Sequence, residues 1–191
     1  MRLDHIAYRV KDRKKTAHFF IDTMGYRIQT EFEINFGDGT KAKCISLEPS
    51  EKPVVEKLHW FIRTYVGNDS FSENNLCEKE FAEYHMPPEI FVSDGSSDSI
   101  VGKWVERRDG VGGIHHIAYQ VENVKDKMDE WIKKGYAEFS SDEPLHCPGL
   151  TQVFTKPSEL TGVIYEFIER GSHGFCVDNV KDLMESTKNN K

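Results

Sequence analysis

Two histidines, His5 and His116, open nearly the same hexapeptide: His-Ile-Ala-Tyr-Arg-Val at 5–10 and His-Ile-Ala-Tyr-Gln-Val at 116–121. Side chains of a strand alternate faces, so His5, Ala7 and Arg9 point one way and His116, Ala118 and Gln120 the corresponding way. If the two segments pair with pseudo-symmetry, the imidazoles face one another in a shared cleft. Glu166 stands in the otherwise apolar run Val163, Ile164, Tyr165, Phe167 and Ile168, where a lone carboxylate is costly to bury unless it is paired or bound to metal. Two imidazoles and one carboxylate from different strands make the facial triad that suits divalent iron and related metals. A single histidine on a strand is more often a hydrogen-bonded core or surface residue than a ligand. The repeated position, together with Glu166, is what raises the metal reading.

The elements that must position these residues repeat as well. After each hexapeptide comes a stretch of helical character and then a Gly-Tyr pair, with Gly25 20 residues after His5 and Gly135 19 after His116. Residues 3–10 read as a strand, followed by a helix that carries Ala17, Phe19 and Phe20 and stops at Gly25. Residues 26–36, a turn at 37–40, and 41–47 read as a hairpin. Residues 50–86 are expected to be an insertion, large for such a connection and open to a role as a lid or an oligomer contact; within it Val54, Val55, Leu58, Phe61 and Ile62 fit a helix, 59–66 also passes as a strand, and 76–84 reads as a short helix. Residues 89–92 give a fourth strand, 99–105 a short helical link and 107–113 a glycine-rich loop. The second unit runs strand 114–121, helix 124–134, strand around 136–140, a turn region with Pro144 and Pro148, strand 150–155, a turn at 156–162 and strand 163–169. Val180, Leu183 and Met184 lie at helical spacing in the tail.

With 191 residues, 38% of them hydrophobic, the chain can bury a core, and one domain built of two similar halves is expected. The boundaries are 1–191 for the domain, 1–106 for module one with its insertion at 50–86, 112–170 for module two and 176–188 for a C-terminal helix. Against 25 Lys and Arg stand 32 Asp and Glu, a formal charge of −7, and no basic block interleaves with aromatics. A nucleic-acid partner is therefore not expected. Cys44, Cys77, Cys147 and Cys176 are scattered without a zinc spacing, which reads as reduced thiols in a cytosolic protein. Neither a signal peptide nor a transmembrane span is expected, since the first motif strand begins directly after Met1 and no apolar run approaches transmembrane length, so the expectation is cytoplasmic, with no membrane partner.

The βαβββ duplication with histidine in the first strand of each unit resembles the vicinal oxygen chelate superfamily, which includes glyoxalase I, methylmalonyl-CoA epimerase and 4-hydroxyphenylpyruvate dioxygenase. The resemblance covers almost the whole chain except 50–86. It implies an α+β fold in which paired βαβββ modules form a curved mixed sheet around a metal-containing cleft, the metal held by His5, His116 and Glu166. The second half is most similar to the catalytic domain of 4-hydroxyphenylpyruvate dioxygenase. The matching pieces are Gly-Gly-Ile-His-His-Ile-Ala at 112–118, Thr-Gln-Val-Phe-Thr-Lys-Pro at 151–157, Glu-Phe-Ile-Glu-Arg at 166–170, and Gly174 and Phe175 followed by Asn179 and Leu183. By resemblance Gln152 reaches the substrate, Phe154 and Phe175 flank an aromatic ring, and the tail helix closes the pocket. Strand pairing for Gln152 and core packing for the two phenylalanines are the readings without the family.

Three departures bear on the reaction. The dioxygenase carries an additional N-terminal domain of the same fold, which is not expected in this protein. His115 stands where the dioxygenase has glutamine, as it does in the epimerases, and the pieces at 98–104 and 161–163 are also epimerase-like. Glu89 opens the fourth strand of module one, close to where glyoxalase I and the epimerase place a fourth metal ligand; an exposed carboxylate after Pro87 and Pro88 is the equal alternative. With three protein ligands, an octahedral iron keeps three positions, enough for a bidentate 2-oxo acid and O₂. A fourth ligand leaves two, which suits a metal that polarises a carbonyl or enediolate while a carboxylate moves a proton. The expected function is thus a metal-dependent, Fe(II) dioxygenase-like enzyme acting on a small oxo acid, with Glu166 and Gln152 as its catalytic residues. A non-redox epimerase or glyoxalase-type isomerase using Co, Ni, Mn or Zn is the alternative, and a metal-free small-molecule-binding protein is a third reading. A homodimer is a further expectation.

Overall fold

A computed structural model of the chain describes residues 1–50, 87–171 and 175–188. The readings for residues 51–86, and Gly174, lie outside them. Among the described residues the order is β1 (Arg2–Val10), α1 (Arg13–Met24), β2 (Tyr26–Asn35), β3 (Lys41–Pro49), β4 (Glu89–Gly95), α2 (Ile100–Glu106), β5 (Gly112–Gln120), α3 (Val124–Lys134), β6 (Leu145–Cys147), β7 (Leu150–Phe154), β8 (Ile164–Arg170) and α4 (Val177–Ser186).

The two α/β units begin alike for local reasons. Asp12 caps α1 by accepting from the Lys15 amide, Asn123 caps α3 by accepting from that of Asp126, and each helix stops at a left-handed glycine, Gly25 or Gly135. Phe20 of α1 packs with Tyr26, Ile45 and Val92 on the outer face of one half of the sheet. Outside α3, Phe167 packs with Val124, Met128 and Val153 on the other, with the Trp131 ring 4.7 Å from that of Phe167. Both helices thus cover the outer face and leave the inner one for chemistry.

The eight strands form one curled mixed sheet in the order β2-β3-β4-β1-β5-β8-β7-β6. β1 and β5, the two hexapeptide strands, lie antiparallel at its centre; β4 runs parallel to β1 and β8 parallel to β5. The pseudo-symmetric pairing expected of the repeat is therefore the seam of the molecule. Across the inner face lie α2 and α4, with Val101, Val180 and Met184 buried against Ala7, Ala42 and Phe91. Among the described residues no helix is long and apolar enough to cross a membrane.

Two expectations are corrected. The strand read around 136–140 is only an isolated antiparallel bridge, Phe139 to Thr155, made by the bonds from the Ser140 amide to the Phe154 carbonyl and from the Lys156 amide to the Glu138 carbonyl. The second strand of module two is instead β6, between Pro144 and Pro148, which bound it to three residues. The cysteines are not all free thiols: Cys147 on β6 and Cys176 at the start of α4 form a disulfide, their Cα atoms 6.7 Å apart. A separation of 29 residues hides this pair in the sequence. Cys44 remains a free thiol, which burial pushes up to about 12.

Gly112 begins β5 opposite Val10 with φ +83°, and a methyl group there would collide with the Arg9 carbonyl; Gly110, at φ +70°, has open space around it. Gly110→Ala should lower the unfolding free energy in urea by about 1 kcal/mol, the strain of a left-handed side chain. Gly112→Ala should lose at least about 3 kcal/mol, because backbone must also move. Equal losses would show that the β1–β5 seam tolerates a side chain.

Candidate metal centre

Strict alternation would place neighbours such as Asp4 and His5, or His115 and His116, on opposite faces of the sheet. Two shifts of register at the β1–β5 seam prevent this. Between the pairs Leu3–Tyr119 and Ile6–Ile117, two residues of β1, Asp4 and His5, stand against Ala118 alone. Between Ala7–His116 and Tyr8–Ile114, His115 is the extra residue of β5. Such bulges re-aim side chains beside functional sites. Each site histidine accordingly carries its sequence neighbour inward.

Glu166 reaches the same place from β8, where its Cα pairs with Ala118 of β5. His5, His116 and Glu166 are 1%, 5% and 1% exposed. Their donor atoms converge: His5 Nε2 lies 3.2 Å and His116 Nε2 3.1 Å from Glu166 Oε2, and the two nitrogens are 3.2 Å apart. Oε2 sits close to both nitrogens, yet accepts a well-directed hydrogen bond from neither. Ligands about 2.1 Å from a common ion and at right angles to one another stand about 3.0 Å apart, so the near-equilateral triangle fits one face of an octahedral site. Among the described residues this is the group of histidine, cysteine and acidic side chains able to hold a cation.

The far nitrogens explain how the rings are held. His5 Nδ1–H donates to Asp4 Oδ1 at 2.7 Å, and Arg170 grips Asp4 in turn, with Nε at 3.0 and 2.9 Å from its two oxygens and Nη2 at 2.7 Å from Oδ1. On the other side, the Nδ1 atoms of His116 and His115 are 2.9 Å apart. A proton on His116 Nδ1 leaves His115 as its acceptor, and both site histidines then present Nε2 lone pairs to the centre. Partners of this kind orient ligand rings and fix their tautomers. His115 is itself wedged against Trp104 of α2, ring centroids 5.5 Å apart.

The electrostatics follow from burial and close contact. Burial pushes the Asp4 carboxyl up, but the hydrogen bond and charge of His5 and the charge of Arg170 outweigh it and hold Asp4 at about 2. Burial pulls His5 down, yet the Glu166 charge and the Asp4 hydrogen bond carry it to about 9. His116 is lowered by burial, which Glu166 offsets only in part. Glu166 would rise on burial, and the His5 charge first among its neighbours brings it below the usual carboxylate range. A proton or a metal ion is what this convergence of lone pairs and charge attracts.

The other sequence candidates fall around this centre. Gln152 is buried on β7, and its Nε2 has no partner. Phe154 packs edge-on to His116 and Phe175 edge-on to His5, each at 5.1 Å between ring centroids. Gln152 and Phe175, with His5, His116 and Glu166 and with Val180 and Leu183 of α4, line a hollow of about 10 Å³, room for about one water. Glu89 is the exception. Its Cα is the register partner of His5, but its carboxylate accepts from Arg170 Nη2 at 3.1 Å and Gln29 Nε2 at 3.2 Å, outside the His5–His116–Glu166 cluster.

Sequence reasoning did not single out Arg9, Arg170 or the partnership of Asp4 with His5. Arg9 follows His5 by four residues on the same face and is 2% exposed; its Nη2 donates to Thr187 Oγ1 at 3.1 Å, its guanidinium lies 5.9 Å from the centre of the Trp104 ring, and among the described residues Nη1 has no hydrogen-bond partner. Burial pulls it down to about 9, leaving it charged at neutral pH. Among the described residues no carboxylate pairs with it. An arginine in phase with a ligand histidine and an acid directly before that histidine were the available signals.

Comparisons with known proteins give the family and the fold. The family model described as the glyoxalase/bleomycin resistance protein/dioxygenase superfamily matches residues 4–147. No curated protein sequence matches the chain. Among solved structures, a methylmalonyl-CoA epimerase is similar at 20% identity over 90% of this chain and 97% of its own, with a TM-score of 0.59. A mutant 4-hydroxymandelate synthase from Streptomyces coelicolor is similar at 16% identity over 98% of this chain, with a TM-score of 0.69. The present chain spans 53% of that synthase. A hypothetical protein from Bacillus halodurans is similar at 22% identity over 92% of this chain and 98% of its own, TM-score 0.58.

His5→Ala, His116→Ala and Glu166→Gln should each abolish tight binding of one divalent ion per chain, measured by equilibrium dialysis and elemental analysis. Asp4→Asn should weaken that binding by about 10- to 100-fold, the usual effect of removing a partner behind a ligand. Retention of the ion by all three ligand variants would place it elsewhere.

Proposed function

Since the chain belongs to the glyoxalase/bleomycin resistance protein/dioxygenase superfamily, we propose that it is a metal-dependent oxygenase of the 4-hydroxyphenylpyruvate dioxygenase kind, acting on a small 2-oxo acid. The observation that carries this reading is the set of three protein donors, His5, His116 and Glu166, with Glu89 engaged by Arg170 instead. Iron held by these three residues would supply O₂ activation and polarise a chelating oxo acid.

The remaining roles belong to the chain's own groups. Asp4 and His115 keep the two imidazoles oriented. Gln152 offers an unpartnered amide N–H₂ to a substrate oxygen. Phe154 and Phe175 form apolar walls on either side of the histidines, suited to an aryl or alkyl group and to excluding water. Arg9, a buried cation in the neighbouring part of the cleft, favours an anionic substrate.

A non-redox isomerase is the second reading, favoured by the register of Glu89 beside His5 and by the similarity to methylmalonyl-CoA epimerase structures along nearly their whole length. The two readings separate in one experiment. Protein loaded anaerobically with Fe(II) and given a panel of aryl-pyruvates and other 2-oxo acids should consume O₂ with release of CO₂, and His116→Ala should lower this at least about 100-fold. Absence of uptake by fully loaded protein, with metal-dependent deuterium exchange at a substrate carbon without O₂, would instead establish the isomerase. Protein that takes up no metal but binds the panel would establish a binding function.

A further inference from the structure

Two carboxylates, Asp4 and Glu89, flank His5, and one cation, Arg170, holds both. Asp4 adjoins His5 in sequence, and Glu89 adjoins it across the sheet as its register partner on the parallel strand β4. In-register residues of neighbouring strands share a face and lie about 4.8 Å apart, so a glutamate at this position can reach an ion held by His5. It is turned aside by two contacts, Oε2 with Arg170 Nη2 and Oε1 with Gln29 Nε2. Arg170 comes from β8, four residues after Glu166 and on the same face. Its fork is fixed by three bonds to Asp4, and its guanidinium lies 4.5 Å over the Phe175 ring.

We propose that Arg170 sets the coordination number of the metal centre by sequestering Glu89, and so selects for substrates that bind as bidentate anions. This rests on the metal reading of His5, His116 and Glu166. The charge count supports it. A divalent ion with two neutral imidazoles and the Glu166 carboxylate keeps a net charge of +1 and three open octahedral positions. With Glu89 added it would be neutral, with two positions open. An anionic oxo acid that chelates through two oxygens is attracted by the first arrangement and leaves one position free beside it; the second has no net charge to attract it and no position to spare. Arg170 is thus a positioning and specificity-determining residue, acting through Glu89 without touching the ion.

The test is Co(II) binding, read by affinity and by visible absorption, in wild type, Glu89→Gln, Arg170→Gln and the Arg170→Gln/Glu89→Gln double variant. Wild type and Glu89→Gln should bind with affinities within twofold and have the same spectrum. Removing Arg170 frees Glu89, so Arg170→Gln should bind Co(II) at least tenfold more tightly than the double variant and differ from it in spectrum. If Arg170→Gln does not fold, Arg170→Lys, which keeps a charge for Asp4 but gives up the fork that spans both acids, makes the same comparison. A tenfold loss or altered spectrum in Glu89→Gln alone would make Glu89 a ligand despite Arg170 and overturn the proposal. Identical single and double variants at position 170 would also overturn it. Failure of wild type to bind Co(II) would instead remove the metal reading itself, together with this proposal.

Discussion

The structure depends on the convergence of three donor atoms, two imidazole Nε2 and one carboxylate oxygen, on a single point under the sheet's inner face. A buried carboxylate without a compensating partner costs several kcal/mol, and lone pairs directed at the same point repel one another. A proton on His5 or a cation at the centre relieves both. That requirement accounts for features that otherwise look unrelated: the two bulges at the β1–β5 seam, the Asp4 bond behind His5, the His115 contact behind His116, and the apolar covering by Phe154, Phe175 and α4.

Charge around the site is divided rather than pooled. Glu166 is directed at the histidines, whereas Asp4 and Glu89 are gathered by Arg170. One carboxylate thus faces both imidazoles directly and another acts through its hydrogen bond to His5. The rigid outer layers, α1 and α3 packed on the two halves of the sheet, hold these strands in register. The inner layer is different in kind. α4 contributes Val180, Leu183 and Met184 to the cover, lies across the hollow, and is tied at its start to β6 through Cys147 and Cys176.

Much of this was legible in the amino-acid sequence, for identifiable reasons. The repeated hexapeptide marks strands that are chemically alike, and their pairing brings His5 and His116 together. Glu166 declares itself as a charge inside an apolar strand. The capping residues Asp12 and Asn123 and the glycines at 25 and 135 bound the two outer helices without tertiary help. Long-range or subtle features were hidden. A one-residue slip of register has no local signature, so the inward turn of Asp4 and His115 could not be read from alternation. β6 is three residues long between prolines, too short for a periodic signal. The partnership of Arg170 with Asp4 and Glu89 spans 166 and 81 residues, and only the sheet order β4-β1-β5-β8 brings them close.

The most direct measurement is a crystal structure of the protein loaded with Fe(II) under anaerobic conditions, with anomalous diffraction collected at the iron edge. One peak should lie about 2.1 Å from Nε2 of His5, Nε2 of His116 and a carboxylate oxygen of Glu166, with Glu89 still bound to Arg170. A peak away from these three residues, or one coordinated by Glu89 as a fourth protein ligand, would contradict the three-residue centre.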